Sequence, residues 1–207
     1  VLLWFVPYVA RMVGFQVAAS HFVERHGLVV IVALGESIVV LGAGAGGAEV
    51  GMELGLIAIL GLALSAALWW TYFSHEEELE YAMLEAPPSE RPQKALLLGY
   101  AHFFLLLGVV LVAAGLKKSI PDPLGDLGWE TALALGAGAA MFVAADTAML
   151  RTLQVPYGRA RVVAVVAALA TLPIGLASTA AQDAALAGIV ALASGRPRGD
   201  SATPTAR

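Results

Sequence analysis

The sequence predicts an all-α fold, a polytopic bundle of transmembrane helices, and three observations predict it. Of the 207 residues, 59% are hydrophobic and 14% are charged, whereas soluble domains average about 45–50% and about 25%. The mean hydropathy is +0.79. The apolar residues form long continuous runs without the alternation of membrane strands, which favours helices that satisfy their own backbone hydrogen bonds in lipid.

The chain divides into about seven apolar runs, and each is interpreted as a helical segment. A hydrocarbon core about 30 Å thick needs about 20 helical residues, so the first run is a truncated helix and the last is short for a span. Because the sequence opens inside an apolar run without a methionine, we expect the C-terminal part of a longer protein. The runs cover residues 1–9, 20–43, 54–73, 95–116, 129–150, 162–177 and 183–194.

The bundle is expected over residues 1–194, with a disordered cytoplasmic tail over 195–207. The tail is polar and rich in Pro, Gly, Ser and Thr, a composition that cannot bury enough apolar surface to fold. Between the runs, residues 75–94 are expected to form an acidic connection interrupted by Pro87 and Pro88.

Lysine and arginine positions predict the topology. If the runs alternate in direction, one side receives ten of the 12 basic residues and the other receives only Lys117 and Lys118. Cytoplasmic loops carry the excess of Lys and Arg. We therefore expect loops 10–20, 74–94 and 151–161 and the tail to be cytoplasmic. The ten basic residues are Arg11, Arg25, Arg91, Lys94, Arg151, Arg159, Arg161, Arg196, Arg198 and Arg207.

Composition and motifs also exclude several kinds of site. No cysteine is present, so thiolate chemistry and disulfides are excluded. There is no broad basic surface of the kind that binds nucleic acid. The sequence has no HExxH pattern, and the glycines at 44–47 lack the following Lys-Ser/Thr of a phosphate loop. We expect no metal site, no cofactor and no catalytic residue that the sequence can name.

Ionisable groups inside membrane segments are costly and usually face a bundle interior or a wet cavity, so they are the candidate site residues. The run over 20–43 is the richest in them. At about 100° per residue, His21, Glu24, Arg25 and Glu36 fall within roughly 120° of one another. The first three could line a polar pathway, or they could form an interfacial salt-bridge cluster.

Glu36 lies roughly 16 Å beyond Arg25 along the helix, near the middle of an apolar stretch. It is interpreted as a carboxylate that binds a proton or cation, and the alternative is a hydrogen-bonded glutamate that fixes helix packing. His102 could pair with Glu36 or Glu24 across helices, or it could be a packing residue. Asp146 is a further pathway candidate, for which charge pairing with Arg151 or Arg159 at the interface is the plainer interpretation.

Three segments resemble one bacterial family. Residues 21–37 read HFVERHGLVVIVALGES, residues 67–73 read ALWWTYF, and Tyr100-Ala101-His102 precedes an apolar run that ends in Gly115-Leu116-Lys117. Together they resemble the bacterial low-temperature-requirement A (LtrA) family. The resemblance implies a multi-pass membrane protein, longer than this chain, in the bacterial inner membrane and associated with growth in the cold. It implies no known reaction.

The predicted partner is the lipid bilayer, and the predicted activity is that of a transporter or permease for a small solute, proton or cation. Glu36, His102 and the His21–Glu24–Arg25 cluster would form its polar pathway. The alternatives are a membrane-embedded enzyme acting on a lipid or lipid-linked substrate and a non-catalytic envelope or stress protein. Enzymatic activity is less favoured than transport, and the oligomeric state stays open.

Overall fold

The computed structural model describes residues 19–44, 46 and 51–195, and all regular structure in those ranges is helical. The all-α prediction is therefore confirmed. The helices are α1 (Ala19–Gly44), α2 (Met52–Phe73), α3 (Glu76–Glu85), α4 (Arg91–Ser119), α5 (Gly128–Thr152), α6 (Arg159–Leu169), α7 (Leu172–Gly175) and α8 (Thr179–Ala193).

Four of the helical segments are long and apolar enough to cross a membrane. This confirms the multi-pass character expected from the runs, because each window is apolar over at least a membrane thickness. The shorter α8 is also apolar but falls below that length. The four candidate spans are Glu24–Ala43, Met52–Glu85, Arg91–Ser119 and Gly128–Thr152.

The most extensive helix pair in the bundle is α4 against α5. The two helices cross where Gly108 meets Gly138, and each glycine lies against the backbone of the other helix. A Cβ on Gly108 would come within 2.7 Å of the Gly138 carbonyl oxygen, and a Cβ on Gly138 within 2.8 Å of the Gly108 carbonyl oxygen. Small residues permit this close approach, which is how membrane helices associate without a hydrophobic driving force.

The helices of the bundle alternate in direction. At one end, termed the first end, lie the N-termini of α1, α4 and α6 and the C-termini of α2, α5 and α8. There the rings of His26 and His102 lie 4.3 Å apart. At the opposite, second end, Thr179 Oγ1 donates to the carbonyl of Gly125 over 2.9 Å. The short α8 begins at the second end and points toward the first end, while which end is cytoplasmic stays a prediction.

The count of seven segments is not supported. The described residues hold six of the expected segments, formed by α1, α2, α4, α5, the α6–α7 pair and α8. The first expected run, residues 1–9, lies outside the described residues, as does most of the expected tail. The sixth run is broken into two helices, because Pro173 has no backbone N–H to continue the α6 ladder.

The prediction that residues 75–94 form an irregular connection is wrong. Ten of its residues form α3, which begins with three glutamates in its first turn. Acidic side chains are favourable there because the helix N-terminus carries a partial positive charge. Leu79 and Met83, four residues apart, are buried on one face, and the helix ends before Pro87 and Pro88.

The last run begins earlier than expected, at Thr179 rather than near residue 183. Ser178 provides the reason, because its hydroxyl accepts a hydrogen bond from the backbone N–H of Ala181 and caps the helix. The added turn brings Gln182 and Asp183 inside the helix, and both side chains are buried.

Candidate functional site

Glu36 projects from the outer side of α1. Its side chain is exposed, although it stands well inside the candidate span Glu24–Ala43. Val32 and Val39 beside it are exposed as well. A Cβ added to Gly35 or Gly42 would meet no atom within 4 Å. We call this side of α1, formed by Val32, Gly35, Glu36, Val39 and Gly42, the Glu36 face.

Glu24 and Arg25 are exposed near the first end of the bundle. Glu24 lines a groove of about 430 Å³ between α1 and the α2–α3 segment, together with Glu76 and Glu80. Gly27 forms part of this wall, and a Cβ there would lie 3.2 Å from Glu76 Oε1. The groove is therefore an acidic opening. His21 lies in α1, but its side chain is outside the described part of the structure.

His102 is buried, with 6% of its surface exposed. Its Nδ1 donates to the Leu98 carbonyl over 2.9 Å, since a carbonyl oxygen can only accept. In the neutral ring Nε2 is then an acceptor, and it lies 2.9 Å from the hydroxyl of Tyr72. His102 thus packs beside Tyr72 and His26. Glu36 is ten residues beyond His26 on α1, roughly 15 Å along the helix.

Asp146 and Arg161 form a buried ion pair between α5 and α6, and each is only 1% exposed. The second guanidinium nitrogen of Arg161 lies 3.2 Å from Nδ1 of His75. Because guanidinium nitrogens only donate, this imidazole nitrogen accepts. Ser74 Oγ also lies 2.7 Å from the same nitrogen. The cluster ties α5 and α6 to the end of α2.

A second polar group lies toward the opposite end, where α8 meets α5 and α7. Gln182 Nε2 donates to the Ala132 carbonyl over 2.8 Å and to Thr171 Oγ1 over 3.1 Å. Neither side-chain oxygen of Asp183 has a hydrogen-bond partner among the described residues. Asp183 is nevertheless fully buried, with 0% exposure.

The structure therefore distributes the predicted residues over separate places. Glu36 stands on one face of α1, Glu24 in the acidic groove, His102 in a buried contact with Tyr72, and Asp146 in an interior ion pair. The part of the chain that the structure describes contains no group of three or more His, Cys, Asp or Glu able to hold a metal ion.

Arg161 and Asp183 are not among the residues that the sequence predicts for the site, and His75 is predicted only as part of a solvated acidic run. Arg161 falls in the predicted cytoplasmic loop 151–161, although it lies in the first turn of α6 and is buried. The available signal was the position of these polar residues beside apolar runs. A polar residue beside an apolar run indicates that burying its side chain would be unfavourable, but it does not show which residue pairs with that side chain.

One protein-family model matches the chain. The family model of the bacterial low temperature requirement A protein (LtrA) matches residues 1–194. No curated protein and no solved structure matches the chain. The match covers the four candidate spans and all three segments that carry the resemblance. The chain belongs to the LtrA family of bacterial membrane proteins.

Proposed function

We propose that the chain forms part of a transporter or permease, with a polar pathway for a small solute, proton or cation along the Glu36 face. The observation that carries the proposal is the exposed carboxyl of Glu36 within an apolar span. An acidic side chain placed against lipid near the centre of a bilayer costs about 2.5–3.5 kcal/mol or more. Such a face is therefore expected to meet water or polar groups rather than lipid tails.

The shape of the Glu36 face supports the same proposal. Gly35 and Gly42 carry no side chain and have open space beside them. Two residues that are seven apart lie on nearly the same side of a helix, since seven residues are about two turns. The glycines therefore leave open space on either side of Glu36, where a solute or another helix could approach the backbone of α1 closely.

The acidic groove at the first end favours a neutral or cationic solute. Its wall carries the carboxyl groups of Glu24, Glu76 and Glu80. A cleft lined by charges of one sign raises the local concentration of the opposite sign and lowers that of like-charged solutes. The groove would thus act as a vestibule that disfavours anions near the start of α1.

The observed placement of the polar residues favours transport over the two alternatives. An enzyme using Glu24 and His102 as acid and base would bring both to one opening. His102 instead is buried against Tyr72 and Leu98, and it is not among the described residues that line the groove. A closed structural protein would bury or pair Glu36, whose side chain is exposed.

Flux in reconstituted vesicles tests the proposal. The chain and its Glu36→Gln variant would be placed in proteoliposomes, and fluxes of H⁺, Na⁺ and K⁺ followed with trapped indicator dyes. We expect a protein-dependent flux that falls about tenfold or more in the variant, which corresponds to about 1.4 kcal/mol on the barrier. Glu130→Gln is the matched control, because Glu130 is exposed at the start of α5. Equal flux in the wild type and Glu36→Gln would refute the role of Glu36.

A further inference from the structure

We propose that Asp183 is a buried proton-binding site, at which a carboxylate and a proton combine reversibly to a neutral carboxylic acid. Asp183 is 0% exposed, and both of its carboxyl oxygens lack a hydrogen-bond partner among the described residues. An ionised carboxylate in such a place has lost its water and gained no compensating group. Uptake of a proton removes the charge without requiring a partner.

On the helices packed around α8, the described charged residues are either exposed or belong to the Asp146–Arg161 ion pair. Helix α8 packs on α2, α5, α6 and α7. On α2 and α5, Glu53 and Glu130 are exposed and acidic. The basic residues on α5 and α6 are either exposed or already paired with Asp146, and α7 has no charged residue. Those basic residues are Arg151, Arg159 and Arg161.

The helical register shows how far the paired cation is. Asp183 and Val190 are seven residues apart and lie on nearly the same side of α8. The Val190 carbonyl is 3.4 Å from Thr71 Oγ1, at the first end of the bundle. Asp183 therefore lies roughly 10 Å from the level of Thr71. Arg161 lies beyond Thr71, beside His75, so its charge is at least that far away.

A metal cation fits this position poorly. Hard cations require about six or more oxygen ligands, or a few ligands with several waters. The described residues contain no group of three or more His, Cys, Asp or Glu that could supply such a shell. Asp183 also lies just beyond the first turn of α8, where a carboxylate could stabilise the helix N-terminus. That role would show as an accepted N–H bond, and neither oxygen accepts one in the described structure.

Polar side chains on α8 lie beside Asp183 on the side of the second end of the bundle. Thr179, one turn earlier on α8, donates its hydroxyl proton to the carbonyl of Gly125 over 2.9 Å, and the carbonyl of Asp122 lies 3.2 Å from the same hydroxyl, both in the loop between α4 and α5. Gln182, next to Asp183, contacts Thr171, and its own side-chain oxygen is buried without a partner in the described residues. Neither carboxyl oxygen of Asp183 contacts these groups, so a water molecule between them and Asp183 would have to complete a proton path from the α4–α5 loop.

Coupling of this proton to transport rests on the proposed function, whereas the proton site itself does not. Protonation of Asp183 in response to a pH gradient would change the charge buried among the helices that pack against α8. In a transporter this would link proton uptake at the second end to movement of a solute. Proton binding and its coupling to transport are therefore measured separately on the same protein in lipid.

Infrared difference spectroscopy of the full chain in lipid, recorded across neutral pH, tests the proton site. We expect a carboxylic-acid C=O band that disappears in Asp183→Asn and persists in Asp126→Asn, whose parent side chain is exposed. Labelling the unaltered protein with carboxyl-¹³C aspartate must shift the same band, which assigns it to an aspartate. Because Asp146 is also buried, Asp183→Glu provides the assignment to Asp183 if the Asn variant folds poorly, since the ¹³C-aspartate label must then no longer shift the band. Absence of any aspartic-acid band at neutral pH would overturn the proposal.

Proton flux into vesicles loaded with a pH-sensitive dye tests the coupling. Loss of flux in Asp183→Asn, with the infrared band present in the wild type, supports both proton binding and its coupling to transport. Unchanged flux in Asp183→Asn together with lost flux in Glu36→Gln overturns the coupling but leaves the proposed function intact. No flux of H⁺, Na⁺ or K⁺ in any protein, with the band present, overturns the proposed function and leaves the proton site standing.

Discussion

The guanidinium of Arg161 lies against the carboxylate of Asp146 in the interior of the bundle, and 1% of each side chain is exposed. The two residues are 15 positions apart in the chain and join α5 to α6. Removing one member of a buried pair leaves the other as an uncompensated charge, which typically costs about 3–5 kcal/mol. The stability of the fold should therefore depend strongly on both members of the pair.

We predict that Asp146→Ala and Arg161→Ala each lower the free energy of unfolding by about 3–5 kcal/mol. The double variant Asp146→Leu/Arg161→Met should lose much less than the sum, because it buries no unpaired charge. Unfolding in mixed detergent micelles, followed by circular dichroism, measures all three. Single-variant effects below about 1 kcal/mol, the value typical of exposed pairs, would contradict the buried ion pair.

The glycine crossing of α4 and α5 gives a second prediction. Gly108→Ala places a Cβ 2.7 Å from a carbonyl oxygen of the facing backbone, so the helices must separate. Overpacking of this kind costs about 1–3 kcal/mol, which should appear as a lower unfolding midpoint in micelles. Gly188→Ala is the matched control, because its Cβ would meet nothing within 4 Å. The control should be neutral or more stable by up to about 1 kcal/mol. Equal effects at both positions would argue against the close crossing.

The contact between Tyr72 and His102 gives a third prediction. Tyr72→Phe leaves the buried Nε2 of His102 without its 2.9 Å partner, and an unsatisfied buried acceptor costs about 1–3 kcal/mol. Nitrogen NMR of ¹⁵N-histidine protein in lipid should show His102 with its proton on Nδ1, and Tyr72→Phe should shift the Nε2 signal. Tyr81→Phe provides the control, since Tyr81 is exposed. A proton found on Nε2 of a neutral His102 would contradict this hydrogen-bond arrangement.

The helical spans could be predicted from the sequence because membrane segments must be both long and continuously apolar. The observed α1, α2 and α5 begin and end within two residues of the expected runs. Helix α3 was missed because its glutamates dominate the composition. Its buried Leu79 and Met83 show the four-residue spacing of an amphipathic helix, a signal that was present in the sequence.

Partner choice could not be predicted because it depends on packing between distant segments. Sequence proximity pointed Asp146 toward Arg151 and Arg159, yet both are exposed. Arg151 follows Asp146 by five residues, which places it roughly 140° around the helix. Asp183 was overlooked for a related reason, since its burial arises from four other helices. The position of Glu36 within an apolar run was visible in the sequence, but its outward direction was not.

The Glu36 face of α1 is proposed to meet water or polar groups rather than lipid, and cysteine accessibility tests this most directly. The chain contains no cysteine, so Glu36→Cys and Val163→Cys can each be labelled without background. Val163 on α6 is an exposed apolar residue and serves as the lipid-facing control. In intact proteoliposomes we predict rapid reaction of Glu36→Cys with a charged, membrane-impermeant thiol reagent and little reaction of Val163→Cys. Both should react fully after unfolding in detergent. Labelling of Glu36→Cys no faster than that of Val163→Cys would place this face in lipid and contradict the account.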